Sequence, residues 1–289
     1  MEKIREKFHQ LTEKQFIILL LVVLICLLLG VTNSQKYFSD KPAEEVQLPA
    51  AAVTAREDGR TVMVLNYHKV ANEHRSLSVT LDDFRQHMAW LKEYGYTGIT
   101  PDELYAFVTE GAELPAKPVL ITFDDGYKDN YTNAYPIMKE YGFKGTIFVV
   151  TSFLGKYDNY LTWEQAKELL DNGFSIESHT YTHKSMTETS DEEISKELSK
   201  SREEIREKLG IEADFMAYPT GTYNLHIAEL VKAAGYKGAF TIKYDNVSRD
   251  SNVYALERVP IFHTENTNKD FLERIQYLPL TYKYGWIKN

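Results

Sequence analysis

The sequence predicts an α/β fold in which parallel strands close into a barrel with helices on the outside. Between residues 61 and 289, short apolar runs alternate with amphipathic stretches that begin at capping residues. Strands separated by helices are typical of a parallel sheet, and about seven or eight such units favour a closed barrel. A doubly wound open sheet is the alternative. No glycine-rich phosphate loop follows the first strand, which argues against a nucleotide-binding version of that sheet.

Strands and helices follow one another in a regular order. The predicted strands are TVMVLNY (61–67), PVLITF (118–123), KGTIFVV (144–150), FSIES (174–178), DFMAYP (214–219), GAFTI (238–242) and YALERVPIF (254–262). Capping residues mark the helix starts, because their side chains accept hydrogen bonds from the first turn. Thr80 opens a helix through Tyr94, Thr100 begins the next, and Thr162 caps a third. A long charged helix is predicted over residues 191–209.

An uncharged apolar segment lies near the N-terminus at residues 16–31, and the residues before it include four basic side chains. A helix of this length spans about 24 Å, between the apolar core of a signal peptide and a full membrane span. Basic residues favour the cytoplasmic side of a membrane. We therefore predict a cytoplasmic tail (1–15), a transmembrane anchor or signal-anchor (16–31), an extracellular tether (32–60) and a catalytic domain (61–289). Secretion after signal cleavage is the alternative.

The charge balance excludes nucleic acid as a partner. The chain has 42 acidic and 33 basic side chains, a net charge of −9, whereas phosphate contacts need Lys and Arg. A neutral or cationic substrate remains compatible with this charge. The single cysteine, Cys26, excludes an intrachain disulfide, so the fold depends on its own core. No protein partner is inferred.

Polar residues follow four of the predicted strands. They are Asp124-Asp125-Gly126, the segment from His179 to His183, the segment from Tyr218 to Asn224, and His263. In a barrel of parallel strands these ends share one face, where such barrels have their active sites. Two imidazoles and one carboxylate form a three-ligand set that leaves positions open, as catalytic metal sites require. The second carboxylate of the Asp pair would then be a base that deprotonates a metal-bound water.

These residues resemble the motifs of the polysaccharide deacetylases, carbohydrate esterase family four. The segment 122–126 (TFDDG) and the pattern His179-Thr180-x-x-His183 are similar to the first two motifs of that family. The segment 217–221 (AYPTG) resembles the third. The segment 66–69 (NYHK) resembles membrane-linked bacterial members, including those that act on poly-β-1,6-N-acetylglucosamine. The likeness covers roughly residues 61–263.

The resemblance implies a distorted, incomplete (β/α) barrel and a metal-dependent deacetylase. Asp124 matches the catalytic base of the family. Asp125, His179 and His183 match the ligands of a divalent metal, usually Zn²⁺, with Co²⁺, Ni²⁺ or Mn²⁺ as alternatives. His263 matches the general acid that protonates the departing amine, and a surface histidine is the alternative interpretation.

The resemblance also implies a substrate-binding turn after the strand that ends near residue 217. The backbone N–H of Thr220 matches a donor to the oxyanion, and Pro219 and Gly221 flank it. Tyr223, in the same segment, is a candidate substrate contact, although shaping the turn is the simpler interpretation.

The chain departs from the family pattern at two positions. The third motif commonly begins with an arginine that orients the base, and Ala217 occupies that position here. Lys69 and Arg258 border predicted strand ends and are the hypothesised substitutes. The leucine expected shortly before the acid histidine is also missing around residues 261–263. His68, on the first strand, is interpreted as a hydrogen-bonded core histidine.

The expected function is metal-dependent removal of N-acetyl groups from an extracellular amino-sugar polymer. Poly-N-acetylglucosamine, peptidoglycan and chitin-like oligomers fit equally, and O-deacetylation of xylan is a further alternative. Another metal-dependent hydrolase is a competing class, but Thr180 stands where a helix-borne zinc protease has its glutamate. A non-catalytic carbohydrate-binding relative is disfavoured because the base and all three candidate ligands are present.

Overall fold

The computed structural model describes residues 61–73 and 75–283, with side chains described up to Ile275. The predicted tail, anchor and tether at 1–60 lie outside the described residues, so they stay predictions. Within the described part of the chain, no helix is long and apolar enough to cross a membrane.

Eleven strands are described. They are β1 (Thr61–Tyr67), β2 (Lys69–Val70), β3 (Ser78–Val79), β4 (Thr97–Gly98), β5 (Pro118–Phe123), β6 (Thr146–Val149), β7 (Ser175–Ser178), β8 (Phe215–Ala217), β9 (Gly238–Tyr244), β10 (Val247–Ser248) and β11 (Leu256–Pro260). Parallel pairing runs in the order β1, β11, β9, β8, β7, β6, β5. Because β5 also pairs in parallel with β1, these seven strands close into a ring. The predicted barrel is confirmed, and the open sheet is rejected.

The ring is uneven, as a distorted barrel should be. A single register pair, Ser178 opposite Met216, joins β7 to β8. The register between β9 and β11 shifts between Leu256 and Arg258. Two short strands add to the ring at the starts of its strands. Strand β4 pairs in parallel with the start of β5, and β10 pairs antiparallel with the start of β1.

Seven α-helices of the described residues surround the strands. They are α1 (Leu81–Glu93), α2 (Pro101–Thr109), α3 (Tyr135–Tyr141), α4 (Trp163–Asp171), α5 (Asp191–Leu209), α6 (Leu225–Ala233) and α7 (Thr267–Lys283). The predicted caps at Thr80, Thr100 and Thr162 are confirmed, and the last two form reciprocal capping boxes. A π-helical turn at Asn130–Ala134 leads into α3. Short 3₁₀ turns lie at Thr151–Phe153, Met186–Glu188 and Pro219–Gly221.

Most residues of the ring strands are buried, because side chains fill the interior and helices cover the outside. Every residue of β5 is buried, which explains its continuous apolar sequence. Phe148, Phe215, Phe240 and Ala217 belong to one buried cluster with residues of β1 and α2. The small side chain at position 217 therefore lies in the barrel core.

Helix α7 packs against α1 through a buried histidine. The rings of His87 and Phe271 are stacked with centroids 3.8 Å apart. His87 Nδ1 lies 3.1 Å from the Tyr67 hydroxyl. His87 Nε2 is buried and has no hydrogen-bond partner among the described residues. Burial lowers the pKa of His87 to about 3, so the ring is neutral in the folded protein at neutral pH.

We expect this histidine to weaken the fold in mild acid. Between about pH 6.5 and about pH 3 the unfolded chain binds a proton at His87 and the folded chain does not. The free energy of unfolding should therefore fall with decreasing pH by up to about 1.4 kcal/mol per unit from this group alone. Urea unfolding of the wild type and of His87→Phe at pH 7 and pH 5 measures the difference.

The variant should lose less stability than the wild type over this interval. The exposed, non-titratable Leu225 provides the control, and Leu225→Ala should follow the wild-type pH dependence. Identical pH dependence of His87→Phe and the wild type would show that His87 does not set the acid limit.

Candidate active site and metal centre

Three predicted ligands converge at the carboxyl ends of β5 and β7. Asp125 Oδ1 lies 3.5 Å from His179 Nε2 and 3.3 Å from His183 Nε2. Among the described residues, this is the one group of at least three His, Cys, Asp or Glu side chains that could hold a metal ion, with ligand atoms within 4.8 Å of one another. Two imidazole nitrogens and a carboxylate oxygen suit Zn²⁺ and similar divalent ions.

The histidines are held in the protonation state that metal binding needs. His179 Nδ1 lies 2.8 Å from the carbonyl oxygen of Ala217, so Nδ1–H donates and the Nε2 lone pair faces Asp125. Burial lowers the pKa of His179 to about 3 and also lowers the pKa of His183. Both rings are therefore neutral near pH 7 and can act as ligands.

Backbone strain is concentrated at this site. Among the described non-glycine residues, only Asp125, Thr180, His183 and Thr220 have positive φ, between 60° and 74°. Each such residue costs on the order of 1 kcal/mol and persists only where surrounding contacts hold it. The His183 N–H donates to Thr180 Oγ1 at 3.2 Å, one of the contacts that hold the turn. Two of the three candidate ligands thus need a left-handed backbone to reach the common point.

The predicted base, Asp124, is bound by an arginine inside the barrel. Asp124 is 2% exposed and Arg258 is 0% exposed. Arg258 Nη1 and Nη2 each donate to one oxygen of Asp124 at 2.7 Å, a bidentate pair. Arg258 Nε also donates to the Thr241 carbonyl at 2.7 Å. Of the two hypothesised substitutes for the motif arginine, Arg258 contacts Asp124, whereas Lys69 Nζ binds Glu73 Oε1 at 2.5 Å.

The two adjacent carboxylates have opposite pKa shifts. Burial alone would raise the pKa of Asp124, but the charge of Arg258 and its hydrogen bonds to the carboxylate hold that pKa well below its usual range. Burial raises the pKa of Asp125 to about 6, and the negative charge of the adjacent Asp124 acts in the same direction. Asp124 is consequently ionised at neutral pH, as a general base must be.

The turn after β8 lies at the same end of the barrel. Thr220 is exposed, with φ of 60°, and Pro219 and Gly221 beside it are buried. A Cβ on Gly221 would lie 2.3 Å from Ile242 Cγ1, so only glycine allows the turn to pack this closely on β9. The Tyr223 ring stacks on Tyr218 with centroids 5.2 Å apart. Substrate contact by these residues stays a prediction.

Two further histidines that the sequence analysis considered, His263 and His68, lie outside the candidate ligand group. His263 lies beyond the end of β11, with Nδ1 3.3 Å from Thr267 Oγ1, and is not part of the candidate ligand group. His68 follows β1, and its buried Nδ1 has no hydrogen-bond partner among the described residues. His68 directly follows Tyr67, whose carbonyl oxygen accepts a hydrogen bond from the Asp124 N–H at 2.9 Å. The predicted hydrogen bond is thus missing at Nδ1 among the described residues, and His68 is half-buried at a strand end on the same face as the candidate ligands.

Tyr127 is a further site residue that the sequence reasoning missed. Its hydroxyl is hydrogen-bonded to Asp125 and to Tyr160, and burial together with the charge of Asp125 raises the pKa of Tyr127. A hydrogen bond of this kind to the outer side of a carboxylate ligand orients that ligand. The position of Tyr127, two residues after Asp125 at a strand end, was the available indication.

Comparisons with known proteins identify the family. A family model described as polysaccharide deacetylase matches residues 111–239. The chain is 33% identical over 251 residues to YxkH of Bacillus subtilis (strain 168), a protein named for the same family, covering 82% of this chain and 89% of YxkH. It is 28% identical over 229 residues to the poly-beta-1,6-N-acetyl-D-glucosamine N-deacetylase of Staphylococcus aureus (strain MSSA476), covering 70% and 79%.

Two solved structures share the fold. The Streptococcus pyogenes deacetylase PplD in complex with acetate superposes with a TM-score of 0.69 at 27% identity, over 74% of this chain and 97% of PplD. IcaB from Ammonifex degensii gives a TM-score of 0.66 at 25% identity, over 75% and 97%. Together with the motifs at the barrel mouth, these similarities show that the chain belongs to the polysaccharide deacetylase family, carbohydrate esterase family four, and is a deacetylase.

Proposed function

We propose that this deacetylase removes N-acetyl groups from an extracellular amino-sugar polymer, poly-N-acetylglucosamine or peptidoglycan, with the aid of a divalent metal. The observation that carries the proposal is the convergence of Asp125, His179 and His183 beside the buried carboxylate of Asp124. The name of the Staphylococcus aureus relative, which specifies poly-β-1,6-N-acetylglucosamine, supports this substrate class.

Asp125, His179 and His183 would hold the metal, most readily Zn²⁺, with Co²⁺, Ni²⁺ or Mn²⁺ as alternatives. When bound, such an ion supplies a Lewis acid for the acetamide carbonyl and lowers the pKa of water. The hydrogen bond from His179 to Ala217 and that from Tyr127 to Asp125 fix the orientation of two ligands before the ion arrives.

The protein's own groups would perform the proton transfers. Asp124 accepts a proton from the water that attacks the acetamide carbon, using lone pairs that Arg258 leaves open. The Thr220 N–H donates to the developing oxyanion. A histidine on the same face protonates the departing nitrogen. The products are acetate and a polymer with a free amine.

The cellular placement is part of the proposal and rests on the N-terminal sequence. Basic residues precede the apolar run at 16–31, which supports a cytoplasmic N-terminus and an anchored catalytic domain outside the cell. The polar segment at 32–60 would give that domain reach towards a polymer at the cell surface.

Acetate release from defined substrates tests the function. The full-length chain with Zn²⁺ or Co²⁺ should release acetate from β-1,6-linked or β-1,4-linked N-acetylglucosamine oligomers or from peptidoglycan. Asp124→Asn should lower kcat by about 10² to 10⁴-fold because the base is lost. The same variant should still bind the metal, since Asp124 is outside the ligand group.

No release from any substrate by the metal-loaded wild type would move the assignment to another hydrolase class. Full turnover by Asp124→Asn would remove Asp124 from the mechanism.

The orientation of Asp124 by Arg258 can be tested by a conservative exchange. Arg258→Lys keeps the charge but cannot form the bidentate pair, so we expect kcat to fall about 10 to 100-fold. The matched control is Arg202→Lys, because Arg202 is a part-buried arginine on α5 that bonds the carbonyls of Ala213 and Ala234. Steady-state kinetics give kcat for both variants, and equal losses of kcat in the two would contradict the positioning role of Arg258.

The general acid can be identified by comparing two histidine variants. The family resemblance assigns the acid to His263, whereas His68 directly follows Tyr67, whose carbonyl oxygen accepts a hydrogen bond from the Asp124 N–H at 2.9 Å. We therefore expect His68→Ala to lower kcat by about 100-fold and His263→Ala to lower it less. The reverse order of losses would assign the acid to His263.

A further inference from the structure

The loop at 151–161, which we call the rim loop, connects β6 to α4 and lies against both ligand-bearing segments. Backbone hydrogen bonds fix it on each side. They are Thr151 N–H to Thr180 O (3.3 Å), Ser152 N–H to Tyr181 O (3.0 Å), Leu161 N–H to Gly126 O (3.0 Å) and Lys128 N–H to Asn159 O (2.9 Å). The rim loop is therefore held at the edge of the metal centre.

Four aromatic rings form a continuous cluster on this edge, which we call the aromatic rim: Tyr127, Phe153, Tyr157 and Tyr160. The Tyr127 and Tyr160 rings stack with centroids 5.0 Å apart. Phe153 makes edge contacts with Tyr160 at 4.9 Å and with Tyr157 at 5.3 Å. Tyr157 is 43% exposed, one of the few large apolar side chains that the described surface leaves open.

The aromatic rim is connected directly to the candidate ligands. Tyr127 bonds Asp125 through its hydroxyl and contacts Tyr160 through its ring. A molecule that lies on Tyr157 and Tyr160 would therefore be adjacent to the sugar unit whose acetamide group lies at Asp125. This continuity favours an occupant that is part of the same substrate over a separate protein partner.

The chemistry of the rim suits a sugar ring. A pyranose presents an apolar C–H face and a polar edge, and tyrosine likewise combines an apolar ring with a hydroxyl. Lys156 Nζ lies 5.1 Å from the centroid of the Tyr157 ring and places a donor beside that surface. Four rings packed on one another also need little ordering when a ligand binds.

We infer that the aromatic rim is a saccharide subsite, in which Tyr157 stacks on a sugar unit next to the one being deacetylated. This inference rests on the proposed function and specifies its substrate as a polymer rather than a single sugar. Tyr157 is then a specificity-determining residue, and its contribution grows only when the substrate is long enough to reach it.

The test compares substrates of different length. Wild-type full-length protein, Tyr157→Ala and Tyr157→Trp are assayed on an N-acetylglucosamine disaccharide and hexasaccharide. The ratio of kcat/KM for the hexasaccharide to that for the disaccharide should fall about tenfold in Tyr157→Ala, mainly through KM. The ratio should recover in Tyr157→Trp, because the aromatic face is restored.

Tyr94→Ala is the control, since Tyr94 caps the far end of α1, and its ratio should equal that of the wild type. An unchanged ratio in Tyr157→Ala would overturn the subsite. If the wild type released no acetate at all, the proposed function would fail separately, and calorimetric binding of the hexasaccharide would decide the subsite. Equal affinity of wild type and Tyr157→Ala would then reject it.

Discussion

The buried pair of Asp124 and Arg258 is the interaction on which the rest of the site depends. A guanidinium inside a barrel is costly unless its donors are satisfied, and Arg258 meets this condition through Asp124, Thr122 and the Thr241 carbonyl. Thr122 lies on β5, Asp124 directly follows that strand, and Thr241 lies on β9, so the partners come from either side of the strands β1 and β11. One side chain thus links strands across the ring and fixes the carboxylate that faces the candidate ligands.

Adjacent residues acquire different chemistry because their surroundings differ. Asp124 lies against a cation and keeps its charge, whereas Asp125 turns into a left-handed backbone and faces two neutral imidazoles. Both carboxyls are withdrawn from water, so the neighbouring charge decides the outcome. The division of labour between a base and a ligand therefore originates in one turn at the end of β5.

Much of the fold and the set of candidate ligands could be predicted from the sequence, because both depend on local patterns. Apolar runs and caps predict strands and helix starts, and strand ends of a parallel barrel share a face. The partner of Asp124 could be narrowed only to Lys69 or Arg258, because this contact joins residues far apart in the chain. Likewise, the lack of a hydrogen-bond partner for His68 Nδ1 in the described part of the chain and the left-handed backbone at Thr180 result from tertiary packing, which residue spacing does not encode.

The family pattern expects an arginine at position 217, and in this chain Arg258 contacts Asp124 in its place. Ala217 fills the core with a methyl group while its carbonyl orients His179, and the guanidinium arrives from β11 instead of β8. The site needs a cation next to the Asp124 carboxylate, and any strand that borders Asp124 can supply that cation. A motif search that demands arginine at position 217 would classify this enzyme as defective, whereas a search for a cation within reach of the base would recognise it as intact.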